Sequence, residues 1–204
     1  MSELPKKARV VIIGGGFAGM ATAFHLAASG IGDIVVLEKE ESCGSHASGR
    51  NAALCRQICE NDEFTELAVA GAAFLRDPPD GFSPSPLLTE SGSFLLHDHG
   101  AGIAALLHLA EKFSILAREI SMADLHSDWP GLDRVQSAGG VYFPSDGVID
   151  IHALLQGFIT GAKKMGTRVF LQHEVTNLTT EDVGAIVHTP HGNIAADCVV
   201  IGAG

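Results

Sequence analysis

Gly14, Gly16, Gly19 and Glu38 are the residues of this chain whose types and spacing most directly describe a chemistry. The glycines fall on G-x-G-x-x-G: the first permits a tight turn, the second lets backbone approach a pyrophosphate, and the third lets a following helix pack closely on the preceding strand. Glu38 stands about 20 residues further on, where an acidic side chain can accept hydrogen bonds from ribose hydroxyls and would repel the extra phosphate of NADP. The four together suit a dinucleotide with an unphosphorylated ribose, either FAD or NAD.

Such a site needs a strand before the glycines and a helix after them. Arg9 to Ile13 is a run of mostly β-branched apolar residues, the pattern of a parallel strand covered on both faces. Phe17, Met20, Ala21, Phe24 and Ala28 recur at helical spacing and form one apolar stripe, and Gly30 is placed to end that helix. Ile34 to Leu37 predicts the second strand, closed by Glu38. The whole reads as a nucleotide-binding βαβ unit.

Composition bounds the rest. The chain has 204 residues, enough for one large or two small domains, and 46% hydrophobic content suffices for a buried core. Its 13 Lys+Arg against 24 Asp+Glu give a net charge of −11, which argues against nucleic acid or an anionic membrane surface as partner. A polar lead runs directly into the first strand, and no apolar run reaches the 18 or so residues needed to span a bilayer, so a cytoplasmic location is expected. Cys43, Cys55, Cys59 and Cys198 lack zinc-ribbon spacing and read as reduced structural thiols. His97 and His99 would share one face of a strand, but no further ligand stands at metal spacing, and no metal is expected.

Further along, Asn61 to Arg76 predicts an amphipathic helix, and "DPPDGFSPSP" from Asp77 to Pro86 is a proline-rich breaker. Two short strands around Ser91-Gly92, a helix from Ala101 to Ala117 and a strand from Gly139 to Phe143 predict an α+β insertion. The nucleotide fold then resumes with a helix from Ile151 to Met165, a strand from Arg168 to Gln172, another near Val175, and a hairpin-like pair around Pro190-His191-Gly192. These boundaries predict residues 1–78 and 147–204 as the two parts of the cofactor domain and 79–146 as the insertion. The closing "VVIGAG" repeats the opening "VIIGGG", and a chain that stops on such a turn reads as interrupted.

The ordered set "VVIIGGGFAGMATAFHLA", "VVLEKE", "GSHASGRNAAL", "GGVYFPSDGVIDIHALLQGF" and "CVVIGAG" resembles the FAD-dependent D-amino-acid oxidase superfamily over nearly the whole chain. The resemblance implies an α/β protein: a divided FAD-binding Rossmann-like fold with an inserted α+β substrate domain, truncated, because members are usually about twice this length. It implies FAD contacts from Gly14, Gly16, Phe17, Ala18 and Gly19 at the turn, from Glu38 and Lys39 after the second strand, and from Val175, Gly202, Ala203 and Gly204. It implies hydride transfer from a small amine or amino acid to flavin, giving an imine, with the flavin supplying the difficult chemistry. A flavin-dependent 2-hydroxy-acid or glycerol-phosphate dehydrogenase shares this fold, and a non-catalytic nucleotide-binding remnant is the third class. The absent half implies a partner chain or self-association, with apolar surface expected between Leu87 and Val141 and on the terminal strand.

The loop from Cys43 to Leu54 is the second chemical focus. Ser45, Ser48, Arg50 and Asn51 carry donors that could reach flavin phosphates or the ring edge, flanked by His46, Ala47 and Ala52, while Gly44 and Gly49 allow close backbone approach. Alternatively Ser48 caps a helix beginning near Arg50. His46 has two readings. One branch of the family carries "HAAG", whose histidine bonds covalently to the flavin methyl; here the order is "HASG", and the following "GRN" matches the members in which the contact is non-covalent.

Overall fold

The computed structural model describes residues 3–204, and its elements follow in chain order as β1 (Lys7–Ile13), α1 (Phe17–Ala28), β2 (Ile34–Leu37), β3 (Leu54–Cys55), α2 (Asp62–Arg76), β4 (Leu88–Thr89), β5 (Ser93–His97), α3 (Gly100–Lys112), β6 (Arg118–Ile120), α4 (Met122–Asp128), β7 (Gly139–Phe143), β8 (Gly147–Ile149), α5 (Ile151–Lys164), β9 (Arg168–Phe170), β10 (Asn177–Thr180), β11 (Ala185–Thr189) and β12 (Gly192–Ile201). Contacts divide them into two compact units. One comprises the chain through Ala52, Asp80–Ser85 and Ile151–Gly204, and the other Ala53–Pro79 and Pro86–Asp150. Helix α2 therefore groups with the second unit, although the sequence-based boundary kept everything through residue 78 with the first.

The first unit is built on a six-stranded sheet of order β10-β11-β12-β1-β2-β9, in which β12, β1, β2 and β9 run parallel and β11 is antiparallel to both its neighbours, β10 and β12. Its central strands are apolar along their length because both faces are covered: Val11, Ile12, Val35 and Val36 have no exposure at all. Helices α1 and α5 pack through edge-to-face contacts among Phe24, Phe82 and Phe158, with centroids 5.1–5.5 Å apart. Gly157 and Gly161 of α5 leave room for those rings, since a Cβ there would stand 2.2 Å from Phe82 and 2.6 Å from Phe24.

The second unit holds two small antiparallel sheets, β3-β8-β4 and β5-β7-β6. Ile103 and Ala110 of α3 join Val141 and Phe143 of β7 in its core. Helix α2 starts where the Asn61 side chain accepts the Phe64 N–H at 2.8 Å. Asp146 is fully buried and ties β5 and the segment after β3 to the β7–β8 turn, accepting from Gln57 N, Gln57 Nε2 and Ser93 Oγ.

Several local expectations are corrected. The helix predicted to Ala117 ends at Lys112, because the backbone turns at Ser114 into the left-handed region (φ 55°) and leads into β6. The strand predicted through Gln172 ends at Phe170, and the strand expected near Val175 begins at Asn177: Gln172 is left-handed (φ 57°), and Gln172 and His173 donate their N–H groups to the carbonyls of Glu40 and Glu38. The strands around Ser91-Gly92 join different sheets, β4 pairing with β8 and β5 with β7. Within the range expected to expose apolar surface, Leu87 and Val141 are buried and Leu116 is exposed, and Ile201 is exposed on the terminal strand; Leu54, Phe64, Leu67 and Val148 are further exposed apolar side chains, outside that range.

Candidate functional site

The parallel strands converge at their carboxyl ends on the glycine turn. Gly14 takes φ 105°, a conformation that side chains disfavour, and a Cβ on it would lie 2.4 Å from the Gly202 carbonyl oxygen. The turn is thus laid bare against the end of β12, and Gly202 N–H donates to the Ile13 carbonyl at 2.8 Å. Gly19 sits on the other side of the turn, where its Cβ would meet the Gly14 oxygen at 1.9 Å; it permits the close seating of α1 on β1.

Glu38 is 8% exposed, and both its oxygens are engaged: Oε2 accepts the Gly15 N–H at 2.7 Å and Oε1 the Glu40 N–H at 3.0 Å. Each carboxylate oxygen has a second lone pair, so this clamp leaves acceptor capacity for a ligand hydroxyl. Cys43 lies over the same turn, its sulfur 2.8 Å from where a Gly15 Cβ would be. Burial, then the Glu38 charge, pushes the Cys43 thiol up, and Lys163 pulls it partly back. It is a neutral thiol, and all four cysteines are free.

The loop after β2 folds back onto the head of α1. Ser48 Oγ accepts the Phe17 N–H at 3.0 Å, and the loop forms a single 3-10 turn at Ala47–Gly49. No helix begins near Arg50, so Ser48 caps α1 across the loop instead of the next element along the chain. His46 Nε2 lies 2.7 Å from Glu40 Oε1. An ionised carboxylate only accepts, so this contact places the imidazole proton on Nε2 and leaves Nδ1 bare in the neutral ring.

These elements enclose a cavity of about 790 Å³ in the first unit. Of the sequence-predicted residues, it brings together Gly14, Gly16, Phe17, Ala18, Glu38, Lys39, Ser45, His46, Ala47, Ser48, Val175, Gly202, Ala203 and Gly204. Gly19, Arg50, Asn51 and Ala52 are not on its wall; Arg50, Asn51 and Ala52 are exposed, and Asn51 Nδ2 donates to the Ser48 carbonyl at 2.8 Å. Sequence reasoning passed over His173 and Glu174, which line it beside Val175, together with the apolar Ile13, Leu37 and Ile201. Only their position directly before Val175 could have signalled the first two.

The wall suits a dinucleotide: bare backbone at the first turn of α1 favours an anion, and the buried Glu38 favours hydroxyls. It offers no metal centre. His97 ends β5 and lies against the position of Gly102, while His99 stands beyond the strand as the residue before α3, so the two do not share a strand face. Among the described residues no group of three or more His, Cys, Asp or Glu is placed to hold a metal ion, and no helix is long and apolar enough to cross a membrane.

Comparison with known proteins places this geometry in context. The sequence model of the family described as "DAO: FAD dependent oxidoreductase" matches residues 9–204. Among curated proteins, mouse mitochondrial sarcosine dehydrogenase is 30% identical over 211 residues, covering 98% of this chain and 23% of that protein. Rat mitochondrial dimethylglycine dehydrogenase is 28% identical over 219 residues, covering 99% of this chain and 24% of that protein. Among solved structures, the L-amino acid deaminase from Proteus vulgaris superposes with a TM-score of 0.85 at 22% identity, covering all of this chain and 49% of that one. This chain therefore spans about a quarter of the length of the two dehydrogenases and about half of the deaminase.

Proposed function

This chain belongs to the FAD-dependent oxidoreductase family described as DAO, and from that premise we propose that it is the dinucleotide-binding portion of a flavoenzyme oxidising a small amine or amino acid. The observation that carries the reading is the cavity at the carboxyl ends of β1, β2 and β12, walled by the glycine turn, the buried Glu38 and the Ser45–Ser48 loop. The two dehydrogenases, at 28–30% identity, favour an N-methylated amino acid as substrate class.

FAD, when bound, supplies the hydride acceptor, and the chain's own residues bind and orient it. Gly14, Gly16, Phe17 and Ala18 present backbone and the positive end of α1 to the pyrophosphate. Glu38 accepts from the adenosine ribose while its Gly15 contact keeps the turn in place. Ser48 fixes the loop that carries Ser45, His46 and Ala47 over the same wall, and Glu40 holds the His46 ring through Nε2. Four free cysteines support a reducing, cytoplasmic setting. This chain spans about a quarter of the length of the two dehydrogenases, and the substrate-binding residues are not assigned within it.

Reconstitution tests the reading. Protein titrated with FAD should acquire a bound-flavin spectrum that NAD does not compete away. With its complement present, sarcosine, dimethylglycine or another amine should bleach that spectrum in the presence of a dye acceptor. Failure to bind FAD would favour a nucleotide-binding remnant, and bleaching by 2-hydroxy acids alone would overturn the amine reading.

A further inference from the structure

We propose that His173 reads the nucleobase of the dinucleotide, accepting on Nε2 a hydrogen bond from the 6-amino group of adenine; this rests on the reading of the cavity as a dinucleotide site. His173 is 7% exposed, yet it lines the cavity. Its Nδ1 lies 2.6 Å from the Leu171 carbonyl oxygen. A carbonyl only accepts, so Nδ1 carries a proton, and in the tautomer this contact selects Nε2 is the acceptor. That nitrogen has no hydrogen-bond partner among the described residues. The residue lines the cavity, and an acceptor left without a protein partner there is open to a donor that the cavity holds.

The ring cannot swing away to solvent. It packs against Phe170 and His191, with centroids 5.4 and 4.4 Å distant, and its backbone N–H donates to the Glu38 carbonyl at 2.8 Å. This backbone bond joins His173 to the main chain of Glu38, whose carboxylate suits ribose hydroxyls, and Glu38, His173 and Val175 line the same cavity. Glu38 already supplies a charged acceptor for the sugar, so the His173 acceptor falls to the next group along the nucleoside, the base. Adenine offers an N–H donor at its 6-position. Hypoxanthine places an oxygen there, which would set acceptor against acceptor.

Displacement of FAD fluorescence by ADP and by inosine diphosphate tests this on the wild-type chain, His173→Phe and His173→Gln. The wild type should bind ADP about tenfold more tightly than inosine diphosphate, the factor expected of one hydrogen bond. His173→Phe keeps a ring of similar size and should bring the two affinities together, chiefly by weakening ADP, whereas His173→Gln retains an acceptor oxygen and should keep part of the preference. A purely packing role would weaken both nucleotides equally and leave their ratio unchanged. Equal wild-type affinities, or an unaltered ratio in His173→Phe, would overturn the inference while FAD binding stood. Failure of the wild type to bind FAD or ADP at all would overturn the dinucleotide reading beneath it.

Discussion

Glu38 Oε2 accepts the Gly15 N–H at 2.7 Å, joining the end of β2 to the glycine turn across 23 residues of chain. One carboxylate thus shapes the turn and lines the cavity. Glu38→Ala should weaken FAD binding by roughly 1–3 kcal/mol, the cost of leaving a turn amide and ribose hydroxyls without a charged acceptor. Glu38→Gln should fall between, because its amide keeps one acceptor oxygen. Flavin titration reads both, and unchanged affinity in Glu38→Ala would place the nucleotide elsewhere.

Gly16 tests the opposite wall. A Cβ there would stand 2.7 Å from Ser48 Oγ, and the further methyls of valine would enter the cavity. Gly16→Val should therefore abolish flavin retention while circular dichroism and the melting transition show a folded chain. Retained flavin would contradict the placement of the pyrophosphate at this turn.

Ser48→Ala removes the acceptor for the Phe17 N–H and should destabilise the protein by about 1 kcal/mol, the usual cost of a lost helix cap. Urea unfolding reads this directly. No loss of stability would mean that water replaces the hydroxyl without penalty. In the second unit, Asp146→Ala strands buried donors on Gln57 and Ser93 and should cost about 3 kcal/mol. A loss below that of Ser48→Ala would show the buried carboxylate to be dispensable.

The thiols give a pH test. Cys43 is raised above the ordinary cysteine range by burial and by Glu38, so at neutral pH its thiolate fraction is smaller than that of a solvated thiol. Alkylation at pH 7.5, followed residue by residue by mass spectrometry, should modify exposed Cys198 well before Cys43, and the Cys43 rate should keep climbing as pH rises past the ordinary range. Faster reaction at Cys43 would reverse the sign argued here.

Covalent and non-covalent attachment at His46 are separable by experiment. With Glu40 fixing the proton on Nε2, the nitrogen left to bond a flavin methyl is Nδ1. Acid precipitation of reconstituted protein, with intact mass, separates the two readings. Flavin carried entirely into the supernatant, with no added mass on the chain, shows contact alone, whereas a flavin-sized increment that disappears in His46→Ala shows a covalent link.

What the sequence by itself determined was local. The apolar run Ile34–Leu37 and the five residues Gly139–Phe143 form strands over the predicted spans, because period and burial leave those segments one low-energy state. The glycine spacing and Glu38 likewise predicted the turn and its acid. Tertiary structure decided what lies across from what. That Ser48 reaches Phe17, that β4 and β5 part into separate sheets, that α2 groups with the second unit, and that His173 arrives beside Glu38 all depend on contacts between distant segments. Residue types carry no record of such pairings. They follow from which surfaces can be buried together once the chain closes its loops, so Arg50 and Asn51, polar and adjacent to the cavity loop, stay off its wall while His173, between Gln172 and Glu174, joins it.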